Sequence, residues 1–321
     1  MTKRCIGCGA GLQNTDKKKN GYTPKLENKY CMRCFRLTNY NDLTETETEK
    51  DNDKIIAVIN NASTFSFFLI DATNITKEAV NLYQNIKTRK CLLLTKIDLL
   101  PANITVNNYI NKFKNIYNIK EEVYPLSSTK KVNVSKILKI MDNLNIKKAY
   151  ILGCTNAGKS TLINTMLASK TITTSRIPNT TLDFINLYIE DKILTDTPGF
   201  VTTTTPFITD KKYYKKIDYK ERIRPITYQT KATTSLLLEE NYRLSNFGFN
   251  SVTTYFNNNI IIKRDFKPNN ESFEVNIMAN TDIVIKDLGF INVKKPCTIK
   301  ISKNLEELIE FRQSLIGGQN D

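Results

Sequence analysis

One octet constrains this chain more than any other feature: Gly153-Cys154-Thr155-Asn156-Ala157-Gly158-Lys159-Ser160, a complete GxxxxGKS. It lies between the apolar run 147–153 and the helix-compatible segment 160–169. A strand that ends in such a loop and continues as a helix turns successive backbone N–H groups inward. The helix adds the positive end of its dipole, and the loop becomes a cradle for phosphates. Gly153, Ala157, Gly158 and Thr161 are candidate lining residues. Lys159 is placed to reach β and γ phosphates, and Ser160 to offer a hydroxyl to Mg2+, a small cation that takes oxygen ligands. The alternative is a chance coincidence of Gly and Lys at this spacing.

The surroundings of the octet set the fold class. From about 55 to 204, apolar runs (66–72, 90–96, 121–127, 147–153, 182–190 and 192–199) form a series of strands. Between the first four lie segments with apolar residues at helical spacing, such as Tyr109, Ile110, Phe113 and Tyr117. Strands alternating with helices predict a mostly parallel sheet covered on both faces, a doubly wound α/β domain. Residues 41–54 are charged and almost without apolar side chains, which sets a boundary near 50. After about 205 the texture becomes short alternating stretches rich in Thr, Tyr, Phe, Ile and Asn, a small, mainly β domain that ends in a helix-like segment over 301–314. The expected organisation is a module over 1–50, an α/β domain over 51–204 and a β domain over 205–321.

Two further motifs stand at strand ends. Asp196-Thr-Pro-Gly199 follows the strand 192–195, where an acidic residue can hold the Mg2+ hydration shell and the Gly199 N–H can meet a γ phosphate. A type I turn favours the same residues. Thr95-Lys96-Ile97-Asp98 follows the run 91–94, and a carboxylate there can accept two hydrogen bonds from the N1–H and amino group of guanine, a donor pair that adenine lacks. The plainer reading makes Asp98 a helix cap. Ser127, Ser128 and Thr129, after another strand, can place a backbone N–H on the guanine oxygen. These are GTPase motifs in an unusual order, because the base-reading segments precede the phosphate loop. Joining the usual chain ends and reopening the chain after Asp-Thr-Pro-Gly gives this order, and circular permutation is tolerated because domain termini lie close together at the surface.

Composition excludes some chemistry and invites other partners. The chain has no histidine among its 321 residues, so no imidazole serves as base or ligand. Catalysis has to work by positioning, charge or metal. Lys and Arg exceed Asp and Glu by 47 − 32 = 15, which favours a polyanion such as RNA, although abundant Lys, Asn and Ile also fit a biased base composition. No apolar run approaches the roughly 20 residues of a membrane span, and the N-terminus has no apolar leader, so a cytoplasmic protein is expected. Four of the seven cysteines form two pairs, Cys5-x-x-Cys8 and Cys31-x-x-Cys34, separated by 22 residues. This is the two-knuckle arrangement of a structural zinc site with four thiolates, with disulfides as the alternative. Cys91, Cys154 and Cys297 read as packed or loop thiols.

The chain resembles the YqeH-type circularly permuted GTPases. The likeness is carried by Cys5-Ile-Gly-Cys8-Gly, Gly21-Tyr22-Thr-Pro24, Cys31-Met-Arg-Cys34-Phe-Arg-Leu, Gly153-Cys-Thr-Asn156, Thr173-Thr-Ser, Thr180-Thr181-Leu-Asp183, Arg224-Pro225 and Gly289-Phe-Ile. The resemblance implies a monomeric factor in small ribosomal subunit assembly that binds GTP or GDP and rRNA. Its alternative is a GTPase component of a tRNA-modification or other protein complex. It implies Thr181 as the switch threonine on Mg2+ (Thr180 is second choice). Asn156 would help hold K+ in place of an arginine finger, or else cap its loop. Turnover would then be slow and stimulated by K+, because Phe200 stands where many GTPases carry a water-orienting Gln. Two positions depart from the family pattern: Asn179 in place of Gly, and Thr95 in place of the more common Asn.

Overall fold

The computed structural model describes residues 11–16, 21–28, 31–32, 52–169, 173–176, 184–203, 205–267, 269 and 271–317. Its helices in the first half are α1 (Asn52–Ala62), α2 (Lys77–Asn85), α3 (Val106–Tyr117), α4 (Lys136–Asn143) and α5 (Lys159–Ser169). The strands there are β1 (Phe65–Asp71), β2 (Lys90–Thr95), β3 (Val123–Pro125), β4 (Lys148–Gly153), β5 (Thr173–Arg176), β6 (Ile185–Ile189) and β7 (Lys192–Asp196). All seven join one sheet in the order β3-β2-β1-β4-β7-β6-β5. The pairs β2–β3, β1–β4 and β4–β7 are parallel, and β5–β6 and β6–β7 are antiparallel.

The chain divides into two compact units. The first contains 1–70, 82–95 and 122–201; the second contains 71–81, 96–121 and 202–321. In the first, the central strand β1 is apolar without alternation because it is covered on both faces. Phe67, Leu69, Leu93, Ile151 and Leu194 share a core with Ile137 and Met141 of α4 and Leu162 and Met166 of α5. Phe68 packs instead edge-on against Tyr83 and stacks on Phe200. Each such buried side chain contributes about 1.5–3 kcal/mol. Cys91 lies inside this unit, where burial pushes its thiol up to about 12, as befits a packed residue.

The second unit continues through the short helices α6 (Pro206–Thr209) and α7 (Lys211–Tyr214) into strands β8 (Ile226–Thr230), β9 (Ser235–Leu238), β10 (Tyr242–Ser245), β11 (Asn250–Phe256), β12 (Ile262–Asp265), β13 (Ser272–Ile277), β14 (Thr281–Ile285), β15 (Gly289–Val293), β16 (Cys297–Ser302) and β17 (Ile309–Gln313). They form two five-stranded sheets, β17-β14-β15-β11-β8 and β12-β9-β10-β16-β13. Val252, Ile283 and Ile291 of one sheet share a core with Leu236, Leu244 and Ile301 of the other. Gly289 is required at the turn into β15: its φ is +136°, and a Cβ there would stand 2.2 Å from the Tyr255 carbonyl oxygen.

The segment 301–314 departs from its helix-like sequence. β16 ends at Ser302, a 3-10 turn covers Lys303–Leu308, and β17 follows. The cause is tertiary: β17 pairs with β14 from Ile309↔Ile285 to Gln313↔Thr281, and this ladder overrides the local helical pattern. Pairing also delivers Arg312 to a buried ion pair with Asp282 (Nε to Oδ2, 3.3 Å) and lets its NH1 donate to the Ile75 carbonyl at 2.7 Å. Asp282 further accepts from Asn292 Nδ2 and the Leu315 N–H, so the buried carboxylate is well supplied with donors.

Candidate functional site

The phosphate loop forms where β4 meets the start of α5. Gly153 ends the strand in a place without room for a side chain: a Cβ would lie 3.0 Å from the Leu69 carbonyl oxygen and 3.1 Å from the Leu69 Cβ. Gly158 has φ +88°, a backbone that glycine reaches freely. Asn156 also lies in the left-handed region, with φ +64°, and asparagine is among the few side chains that tolerate it. Its backbone conformation thus gives Asn156 a reason to be present besides the two read from sequence. Ala157 N–H donates to the Cys154 carbonyl at 3.1 Å, closing the turn, and the Leu162 N–H donates to Gly158 O at 2.9 Å as the helix begins.

The turn after β7 is tied to this loop through backbone bonds. Phe200 N–H donates to Gly153 O at 3.0 Å, and Thr155 N–H donates to Phe200 O at 3.0 Å. The fully buried Phe200 ring anchors the same turn on Phe68, so the residue that cannot orient a water has a packing role. Lys159 Nζ lies 2.7 Å from Asp196 Oδ1 and also donates to the Thr197 carbonyl. Thr197 Oγ1 in turn donates to the Ile151 carbonyl at 3.1 Å. Ser160 is half-buried in the first turn of α5. A hydroxyl and a carboxylate, both hard oxygen donors, are the donor chemistry that suits Mg2+.

Thr95 braces the loop from the neighbouring strand. Its buried hydroxyl lies 2.8 Å from the Ala157 carbonyl oxygen and 3.1 Å from that of Ile70. A hydroxyl suffices for this brace, which gives Thr95 a physical role in the position where the family more often has Asn. The loop 127–132 is closed by reciprocal backbone bonds between Ser127 and Val132, with the Lys130 N–H donating to Ser127 Oγ at 3.0 Å. Thr165 Oγ1 of α5 lies 3.3 Å from the Ser128 carbonyl.

Known proteins similar in sequence to this chain include GTPases. Residues 148–244, from the strand before the phosphate loop onward, match the model of the family described as "50S ribosome-binding GTPase". The protein YqeH of Bacillus subtilis is 31% identical over 246 residues, covering 70% of this chain and 67% of that protein. The chain belongs to the YqeH-type GTPases. GTPase Der of Clostridium kluyveri is 30% identical over 188 residues, 40% of its length, and the tRNA modification GTPase MnmE of Brachyspira hyodysenteriae is 32% identical over 130 residues, 26% of its length. The solved structure of YjeQ from Thermotoga maritima aligns with 43% of this chain and 48% of that one at 16% identity, with a TM-score of 0.33.

For a YqeH-type GTPase the turn after Thr95 is the segment of interest in the second unit. Lys96 has φ 56° and ψ 29°, and Ile97–Leu99 make a single 3-10 turn. Its ammonium is 2.7 Å from Asp71 Oδ2 and 4.1 Å from the centre of the Tyr219 ring. Burial opposes the charge, but Asp71, Tyr219 and Asp287 outweigh it and hold the Lys96 pKa above its ordinary value. The segment around Tyr219 grips the turn in two further places: Ile223 N–H donates to Leu99 O at 2.8 Å, and Arg222 Nε approaches Asp98 O at 3.5 Å. Sequence reasoning did not single out Tyr219, Arg222 or Ile223. The only local signal was the nearby Arg224-Pro225.

Several sequence-derived positions of the YqeH type lie outside the described residues: Cys5, Cys8, Cys34, Asn179, Thr180 and Thr181. Cys31 is described and buried. Among the described residues no group of three or more His, Cys, Asp and Glu side chains is placed to hold a metal ion, and no helix is long and apolar enough to cross a membrane.

Proposed function

We propose that this chain is a circularly permuted GTPase that acts in assembly of the small ribosomal subunit, binding rRNA in a nucleotide-dependent way as a cytoplasmic monomer. The observation that carries the hydrolytic part is the Lys159–Asp196 pair, 2.7 Å across, between the phosphate loop and the Asp-Thr-Pro-Gly turn. A triphosphate takes the lysine, and Asp196 with Ser160 is then free to hold Mg2+, with Thr181 as a third oxygen donor. Bound Mg2+ supplies charge neutralisation between the β and γ phosphates. Gly199 offers its N–H to the γ phosphate, and Asp98 with Lys96 selects guanine, helped by Ser127, Ser128 and Thr129.

Phe200 supplies no polar group for the attacking water, so intrinsic turnover is slow. Asn156 contributes an amide oxygen toward K+, whose charge beside the phosphates would add stimulation. Motif order supports the permuted reading, together with a single sheet in which β2 and β3, the strands before the base-reading segments, are joined through β1 to β4, the strand before the phosphate loop. Cys5, Cys8, Cys31 and Cys34 hold a structural Zn2+: four thiolates are the donor set for it and leave no open position. The β domain and the zinc module meet RNA, favoured by the net charge of +15.

The matching family's description names the large subunit. The matched stretch 148–244 contains the phosphate loop and the Asp-Thr-Pro-Gly turn and leaves out the base-reading segments at 95–98 and 127–129. Gradient sedimentation decides the partner: comigration with small-subunit precursors in the presence of a slowly hydrolysed GTP analogue, lost with GDP, is the expected result. Comigration with large-subunit particles, or with tRNA or an enzyme complex, overturns it. For the nucleotide, Asp98→Asn lowers discrimination of GTP over xanthosine triphosphate by roughly a hundredfold or more, read by competition titration.

A further inference from the structure

Of the six connections of the second unit that cross from one sheet to the other, four belong together: 231–234 between β8 and β9, 246–249 between β10 and β11, 278–280 between β13 and β14, and 294–296 between β15 and β16. Register puts all four at one end of the two sheets, since Thr230 pairs with Asn250, Ser235 with Ser245, Ile277 with Cys297 and Thr281 with Val293. Hydrogen bonds tie them to one another. Thr230 Oγ1 donates to Gly248 O at 2.8 Å, Lys295 N–H donates to Asn250 Oδ1 at 3.0 Å, and Asn280 N–H donates to Lys294 O at 3.3 Å.

This rim carries large apolar side chains in water. Phe249 is 76% exposed and Met278 75%; Phe266, 62% exposed, follows Asp265, which pairs with Ser235 at the same end. Phe249 is held out by a built turn: Phe247 is fully buried, and Asn246 and Gly248 both have φ of 66°. One exposed phenyl is ordinary, but these stand among the exposed Lys231, Lys267, Lys294 and Lys295, and the four crossings contain no Asp or Glu. Lysine is depleted at protein interfaces, and duplex RNA is read by shape and phosphate contacts without stacking. Aromatic faces beside cations are the arrangement that takes unpaired bases and their phosphates.

We propose that this rim binds single-stranded RNA, with Phe249 and Phe266 stacking on bases, Met278 extending the apolar platform, and the lysines meeting phosphates. The inference deepens the rRNA reading above and rests on it. The test is fluorescence anisotropy of the full-length protein with a fluorescein-labelled 12-nucleotide single-stranded RNA of mixed sequence and with the corresponding duplex. The single strand is expected to bind more tightly than the duplex. Phe249→Ala weakens it about tenfold and Phe249→Tyr restores it. Lys294→Ala with Lys295→Ala lowers the slope of log K against log salt by roughly 1.4. All these variants bind GTP as the parent does. Single-strand binding unchanged in Phe249→Ala/Phe266→Ala overturns the rim assignment while leaving the rRNA reading in place. Failure of the parent protein to bind RNA or a ribosomal subunit defeats the rRNA reading itself. Loss of a ribosomal protein's binding in Phe249→Ala, with RNA binding intact, would make the rim a protein surface and also overturn it.

Discussion

In the first unit, a mixed sheet with a parallel centre presents the candidate site residues at strand ends, where short loops are held by backbone bonds such as Phe200 to Gly153 and by the Thr95 hydroxyl. In the second, two antiparallel sheets close over a common core, and the polar groups that matter to the fold, Arg312 and Asp282, are paired inside it. The difference lies in exposure: the Lys159–Asp196 pair of the first unit is partly open to solvent, and the Arg312–Asp282 pair of the second is closed inside the core. Chemistry and stability should therefore separate on mutation.

The largest effect is expected from Lys159→Ala. Removing the charge that meets the phosphates weakens GTP binding roughly a thousandfold in a fluorescent-nucleotide titration. The urea midpoint changes little, because the Asp196 side chain left behind is 25% exposed and can hydrate. A protein that unfolds on this change would break the contrast. Arg312→Met does the opposite. It leaves Asp282, fully buried, without its cation and costs about 4 kcal/mol in urea unfolding. A loss below about 1 kcal/mol would remove the pair from any structural role.

Gly289→Ala is next, at about 3 kcal/mol, since the added methyl meets the Tyr255 carbonyl and the φ of +136° is hostile to side chains. Binding of inorganic triphosphate, which involves the first unit's loop, should persist under folding conditions. The smallest effect sharpens the comparison, because it puts chemistry in the second unit. Tyr219→Leu removes the ring facing Lys96 and raises KM for GTP about fivefold with kcat held, whereas Tyr219→Phe keeps the ring and the parent value. Equal KM values in the two variants would detach Tyr219 from nucleotide binding.

The same contrast explains what was legible in the sequence. The octet 153–160 fixes strand, loop and helix within a few residues, because each glycine answers a local steric demand. Each of the six apolar runs contains a strand; in 66–72, 90–96 and 147–153 the continuous apolar character reports burial on two faces, whereas β6 is only partly covered and exposes Tyr188. Segment 301–314 misleads, because Leu305 and Leu308 suggest helical spacing while the outcome depends on pairing with residues 281–285, a partner no local pattern names. Tyr219 escapes for the same reason. Its value lies in facing Lys96, 123 positions earlier (219 − 96), and nothing beside it in the chain announces that.

The ion pair between Lys159 and Asp196 has a thermodynamic corollary. A bare triphosphate would take the cation and strand the carboxylate next to added negative charge; a free divalent ion would take the carboxylate and strand the ammonium. Arriving together, each finds its counterpart released by the other. On the proposed reading the metal-chelated nucleotide is therefore favoured, and the two affinities, titrated separately and jointly, are expected to be mutually reinforcing.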